Sequence, residues 1–127
     1  NLSSLGRIDM NDTHLAIGCY PGGSSFKVLE LSMLSSPSYQ TVPGQDCPSE
    51  VSFNDKGFFI PGDDKIIGWN SVADALAGSS PTMSFGGKTD KTNIGTKMAA
   101  GIGWDGYHFW VGEYKFSNRL LGFAPSK

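Results

Sequence analysis

The chain has 127 residues and a formal net charge of −2 without a block of like charge, a size that suits one domain with a modest core. That balance speaks against nucleic acid or an anionic membrane surface as partner, because both call for a concentrated basic face. No apolar run reaches the roughly 18 to 20 residues of a membrane-spanning helix, and 17 glycines with 7 prolines favour turns and short elements over long helices.

The first patterned stretch, IDMNDTHLAIG from Ile8, reads as two short strands around an Asn-Asp turn. KVLEL from Lys27 supplies a third strand and SSPSYQTVPG from Ser35 a fourth, through Tyr39. The order then starts again. VSFNDKGFFIPG, from Val51 to Gly62, matches the first stretch with one inserted residue, and KIIGW from Lys65 matches the third strand. SVADALAG at Ser71 is the one stretch with the makings of a helical turn, and SSPTMSFGG from Ser79 restates the fourth strand. A last copy, IGWDGYHFWVG from Ile102, aligns with the first without a gap: Ile8 with Ile102, Met10 with Trp104, His14 with His108, Ile17 with Val111, Gly18 with Gly112. RLLGF from Arg119 follows, and after it stands only APSK.

Four features thus recur in one order. Four-stranded antiparallel units of roughly 40 to 50 residues are the blade of a β-propeller. The expected fold is all-β: three four-stranded antiparallel blades, at about 5–44, 45–87 and 98–127, the last incomplete. Helical and leucine-rich solenoids lack support here, and a β-sandwich would not require equal, ordered copies.

WVGEYKFSNRLLGF, a hydrophobic strand ending in Gly-acid followed by Asn-Arg and two aliphatics, resembles the NHL-repeat propellers. KIIGWNSVADALAGSSPTMSFGG is similar to the strand and long connection of bacterial NHL-like proteins. The first copy departs from the pattern, with GCYPGGSSFK where the acid and Asn-Arg would stand. The resemblance implies architecture more than activity, since such propellers include binding scaffolds, lyases and lactonases. Propellers close with about four to eight blades. Three blades therefore imply completion, by a homodimer about a two-fold axis giving six blades or by further blades of a longer polypeptide. The homodimer is preferred, because an open half-ring would expose an apolar sheet face. A third blade ending on its third strand also leaves an edge that invites pairing.

In a propeller, the connections between second and third strands and between blades share the face where ligands sit. That face is expected to gather Cys19, Tyr20, Cys47, Glu50, Asp63, Asp64, Glu113, Tyr114 and Lys115, with the polar stretch from Gly86 to Gly101. Tyr20, Glu50, Asp64, Tyr114 and Lys115 are the ligand-binding candidates. Asp63 with Lys65 and Glu113 with Arg119 recur with the repeat, so they are expected as structural acid–cation pairs, each contributing little. Gluconolactonase-like propellers hold a channel metal with acidic and amide side chains, and Glu50, just ahead of a first strand, is the acid placed for that channel. The other first strands offer no second acid, and Ca²⁺ needs several oxygen ligands, so no metal and no cofactor are expected.

His14 and His108 share one repeat position at the start of the second strand and read as strand-start residues; no Ser–His–Asp or Cys–His arrangement assembles. The two cysteines, Cys19 and Cys47, lack zinc spacing. They are two free thiols or one disulfide, which would mark an exported protein. Trp69 and Phe123, like Met10, Phe53 and Trp104, are repeat-equivalent and expected to pack between blades, with Trp110 also in the core. The expected function is non-enzymatic binding of a protein or carbohydrate through the loop face. The alternative is a metal-dependent hydrolase or lyase with its site in the channel.

Overall fold

Alternating apolar and polar residues build three antiparallel sheets, each with its strands in chain order. The structure is a computed structural model describing residues 5–19, 27–45, 48, 50–61, 65–86, 99–113 and 120–124, with the backbone alone described at 5, 6, 19, 99, 100 and 113. The first sheet comprises β1 (Leu5–Met10), β2 (His14–Cys19), β3 (Lys27–Glu30) and β4 (Tyr39–Thr41). The second comprises β5 (Ser52–Asn54), β6 (Gly57–Pro61), β7 (Ile66–Trp69) and β8 (Met83–Phe85). The third has β9 (Ala99–Trp104), β10 (Phe109–Glu113) and β11 (Leu120–Phe123), and no fourth strand lies beside β11 among the described residues. None of the sheets closes on itself.

The turns between first and second strands share one device. A side-chain oxygen accepts from the backbone N–H two residues on, and in the first and third turns also from the one three residues on, as Asn and Asp do in turns. Asn11 Oδ1 accepts from Thr13 at 2.9 Å and His14 at 2.7 Å. Asp105 Oδ1 accepts from Tyr107 at 2.8 Å and His108 at 2.7 Å. In the middle turn Asn54 Oδ1 accepts from Lys56 at 2.8 Å. Gly57 follows with φ +150°, and a Cβ there would run into the Trp69 carbonyl. The tightest hairpin is therefore confined to glycine at this point.

Third and fourth strands are joined by a 3₁₀ turn, Leu31–Met33, in the first sheet and by α1 (Val72–Leu76) in the second. Ser71 caps α1, its Oγ accepting from Asp74 N at 3.1 Å and donating to Asp74 Oδ2 at 2.8 Å. Val72 and Ala75 turn into the core, so the one helical stretch foreseen in the sequence exists and is anchored.

The sheets stack face to face. Ala16, Val28 and Val42 of the first meet Phe58, Ile60, Trp69, Val72 and Ala75 of the second. On the other side of the second sheet, Phe59, Ile66 and Phe85 meet Phe109, Val111 and Phe123 of the third. Adjacent residues of β6 thus serve two different cores, Phe58 one and Phe59 the other, because neighbouring side chains of a strand point to opposite faces. In the second core Phe59 and Phe109 rings lie 4.8 Å apart, while Phe85 stands edge-on to Phe109 at 4.9 Å and to Trp104 at 5.4 Å. Phe59 lies flat over Gly68, where a Cβ would strike the ring.

The order is the same at each junction. The face carrying Phe53, Phe58 and Trp69, here the front, packs on the back face of the preceding sheet. Likewise Trp104, Phe109 and Phe123 form the front of the third sheet. First strands follow one another too: β1 lies against β5 and β5 against β9. Asp9 Oδ2 accepts from Phe53 N at 2.7 Å, and Trp104 Nε1 donates to Asp55 Oδ1 at 2.9 Å, so equivalent strand ends point the same way. Trp69 and Phe123 are buried as repeat equivalence predicts, the Trp69 indole donating to Ser79 O at 2.7 Å. Met10, expected between blades, is 57% exposed on the front of the first sheet, and Trp110 departs from the expectation of a core position: it is 39% exposed. The alternation along β10 puts it on the back of the third sheet, where no described sheet stacks.

Candidate functional site

Strand register fixes which residues share a rim. Leu5 pairs with Cys19, Lys27 with Thr41, Pro61 with Ile66, Ile66 with Phe85 and Ala99 with Glu113. First-strand starts, second-strand ends, third-strand starts and fourth-strand ends therefore lie at one end of the stack. Glu50 and Lys65 adjoin that rim, and the backbones of Cys19 and Glu113 reach it. Tyr20, Cys47, Asp63, Asp64, Tyr114, Lys115 and Arg119 lie outside the described residues, and with them the two acid–cation pairs and the cysteine pairing.

Glu50 is the described candidate with a distinctive environment. It is 4% exposed, in the seam where β1 meets the start of β5, and its Oε1 stands 3.4 Å from Arg7 Nε. The Arg7 side chain is mostly exposed, so its charge is spread into solvent and compensates the buried carboxylate incompletely. Burial pushes the Glu50 carboxyl from an ordinary 4.5 up to about 7, with the Arg7 charge and hydrogen bond pulling the other way. A carboxyl of this kind exchanges a proton near neutrality, but its proton lies in a packed seam. Its partner comes from a strand 43 positions earlier, a pairing without a local signal in the sequence.

At the opposite rim the β9–β10 turn carries a cluster that sequence reading did not single out. Asp105 accepts from the N–H groups of His108 and Tyr107, and its Oδ2 accepts from Trp110 Nε1 at 2.8 Å. The His108 N–H, then the Trp110 indole, then the Tyr107 N–H hold the Asp105 carboxyl well below the usual carboxylate range. The His108 ring stands edge-on to Tyr107 at 4.6 Å and 5.9 Å from Trp110. The clue was available: Asn11, Asn54 and Asp105 occupy one repeat position ahead of a turn. His14 opens β2, and its Nδ1 lies 2.8 Å from Thr13 Oγ1, a local contact that suits a strand-start residue. Among the described residues no three His, Cys, Asp or Glu side chains lie together so as to hold a metal ion.

In comparisons with known proteins no family model matches the chain, and neither a curated protein nor a solved structure does.

Proposed function

We propose that the chain is a non-enzymatic binding scaffold, half of an NHL-like propeller whose six blades are completed by a second copy. It recognises a protein or carbohydrate ligand through its loop rim. The observation that carries this reading is the uniform front-to-back stacking of the three sheets, with first strands β1, β5 and β9 in succession and their equivalent ends aligned. Such a stack lines up the ends of successive strands at one rim, the usual arrangement for recognition on a fixed framework. Glu50 supports the same reading, because a carboxylate enclosed in a seam and paired with Arg7 serves the junction between sheets.

The competing reading is a metal-dependent hydrolase or lyase with a channel site. Elemental analysis of the purified protein, with a lactone hydrolysis assay in added Ca²⁺ or Zn²⁺, separates the two. The scaffold reading predicts substoichiometric metal, no turnover, and saturable binding on an oligosaccharide or peptide array. One tightly held Ca²⁺ or Zn²⁺ per chain with metal-dependent turnover would overturn it.

A further inference from the structure

The exposed large apolar side chains gather chiefly at the two ends of the stack. Ile8, Met10 and Tyr39 lie on the front of the first sheet, as their register with Ile17, Leu15 and Leu29 shows. Trp110 and Leu120 lie on the back of the third. Repeat-equivalent positions inside the stack are covered. Ile8 is 55% exposed where its equivalent Val51 is 3% exposed, and Leu120 is 67% exposed where Ile66 is at 0%. Phe59, the equivalent of the half-exposed Trp110, is fully buried. Ile17 and Leu29 on the same front are buried, so its open part is the patch carrying Ile8, Met10 and Tyr39, and this patch and the back of the third sheet are the uncovered counterparts of a junction the chain already makes twice.

Both halves are apolar: the back presents Trp110 and Leu120, and the front presents Met10, Leu15 and Ile8. Trp110 is already prepared for cover. It lies over Gly122, a Cβ there falling 2.9 Å from Cζ3 of the indole, just as Phe59 lies over the repeat-equivalent Gly68 under the third sheet. An indole face receives a thioether well.

We propose that the front of the first sheet docks on the back of the third sheet of a second copy of this chain, Met10 and Leu15 covering Trp110 and Leu120. This rests on the scaffold reading above and specifies the two faces through which the second copy joins. The contact is front-to-back, so a two-fold pair makes it twice, once at each end.

The test is light scattering on the purified chain and two variants, Met10→Lys and Leu120→Glu, with circular dichroism as the control for folding. Both residues are exposed within one chain, and Ile8→Lys replaces Met10→Lys if that variant does not fold. The wild type is expected at about twice the 13.6 kDa chain mass and each variant alone at the single mass. An equimolar mixture of the two variants is expected to return to the double mass, because an unaltered front then meets an unaltered back. A wild-type monomer overturns the proposal. So does a variant that stays dimeric alone, which would mean front-to-front, back-to-back or edge pairing. Masses that climb with concentration, with both variants monomeric, would uphold the docking and sink the closed six-blade ring, so the two readings fail separately.

Discussion

Replacing Glu50 by glutamine removes an ion pair and is expected to stabilise the protein above neutral pH. The carboxyl is 4% exposed, and burial raises it from 4.5 to about 7 against the pull of Arg7. The folded state therefore holds the Glu50 proton more tightly than the unfolded chain does. Stability from this group is full below pH 4.5, falls through the window from 4.5 to about 7, and stays low above it. Each tenfold difference in proton affinity corresponds to about 1.4 kcal/mol, so the ionised carboxylate destabilises the fold by at most about 3 kcal/mol. Glutamine keeps the shape and an acceptor for Arg7 without the charge. At pH 4 the variant and wild type should unfold together; at pH 8 the variant should be more stable, by up to about 10 °C in Tm for a domain of this size. Thermal unfolding at both pH values and one fixed protein concentration reads the difference, and titrations common to both proteins cancel. A variant that loses more stability at pH 8 than at pH 4 would refute the reasoning, because the Arg7 pair would then outweigh the burial it opposes.

Gly68→Ala should destabilise by about 1–3 kcal/mol, since its Cβ meets the Phe59 ring in a packed junction. An unchanged urea midpoint would show that the second junction is loosely packed. Asp105→Ala should free the Trp110 indole and loosen the β9–β10 turn, lowering the melting temperature at neutral pH. Because the Asp105 carboxyl is held below the usual range, that gap should close only as strong acid protonates the wild type. A gap already gone by pH 5 would contradict the turn geometry.

The repeat made much of this fold legible. Apolar side chains at alternate positions in LAI, FFI and FWV mark each second strand, and the aliphatic pairs of KVL, KII and RLL mark each third. Equivalence also placed Trp69 and Phe123 between sheets, because a position that packs in one copy packs in the next. It misplaced Trp110 for the same reason. Ala16, Phe59 and Trp110 are one repeat position, and only the order of the stack tells that the last has no described sheet behind it. Glu50 was visible as an acid ahead of a first strand, but its pairing with Arg7 across the seam depends on how two sheets meet. The Asn and Asp turns were readable in principle, since a side-chain acceptor ahead of a tight turn is a local signal.

The native mass of the unaltered chain in solution, followed across a dilution series, tests most directly whether the two open faces belong together. If they do, the mass is constant at about twice 13.6 kDa at micromolar concentration and falls to the single mass only on strong dilution. A folded chain of single mass at every concentration would contradict this, leaving Ile8, Met10, Trp110 and Leu120 in water.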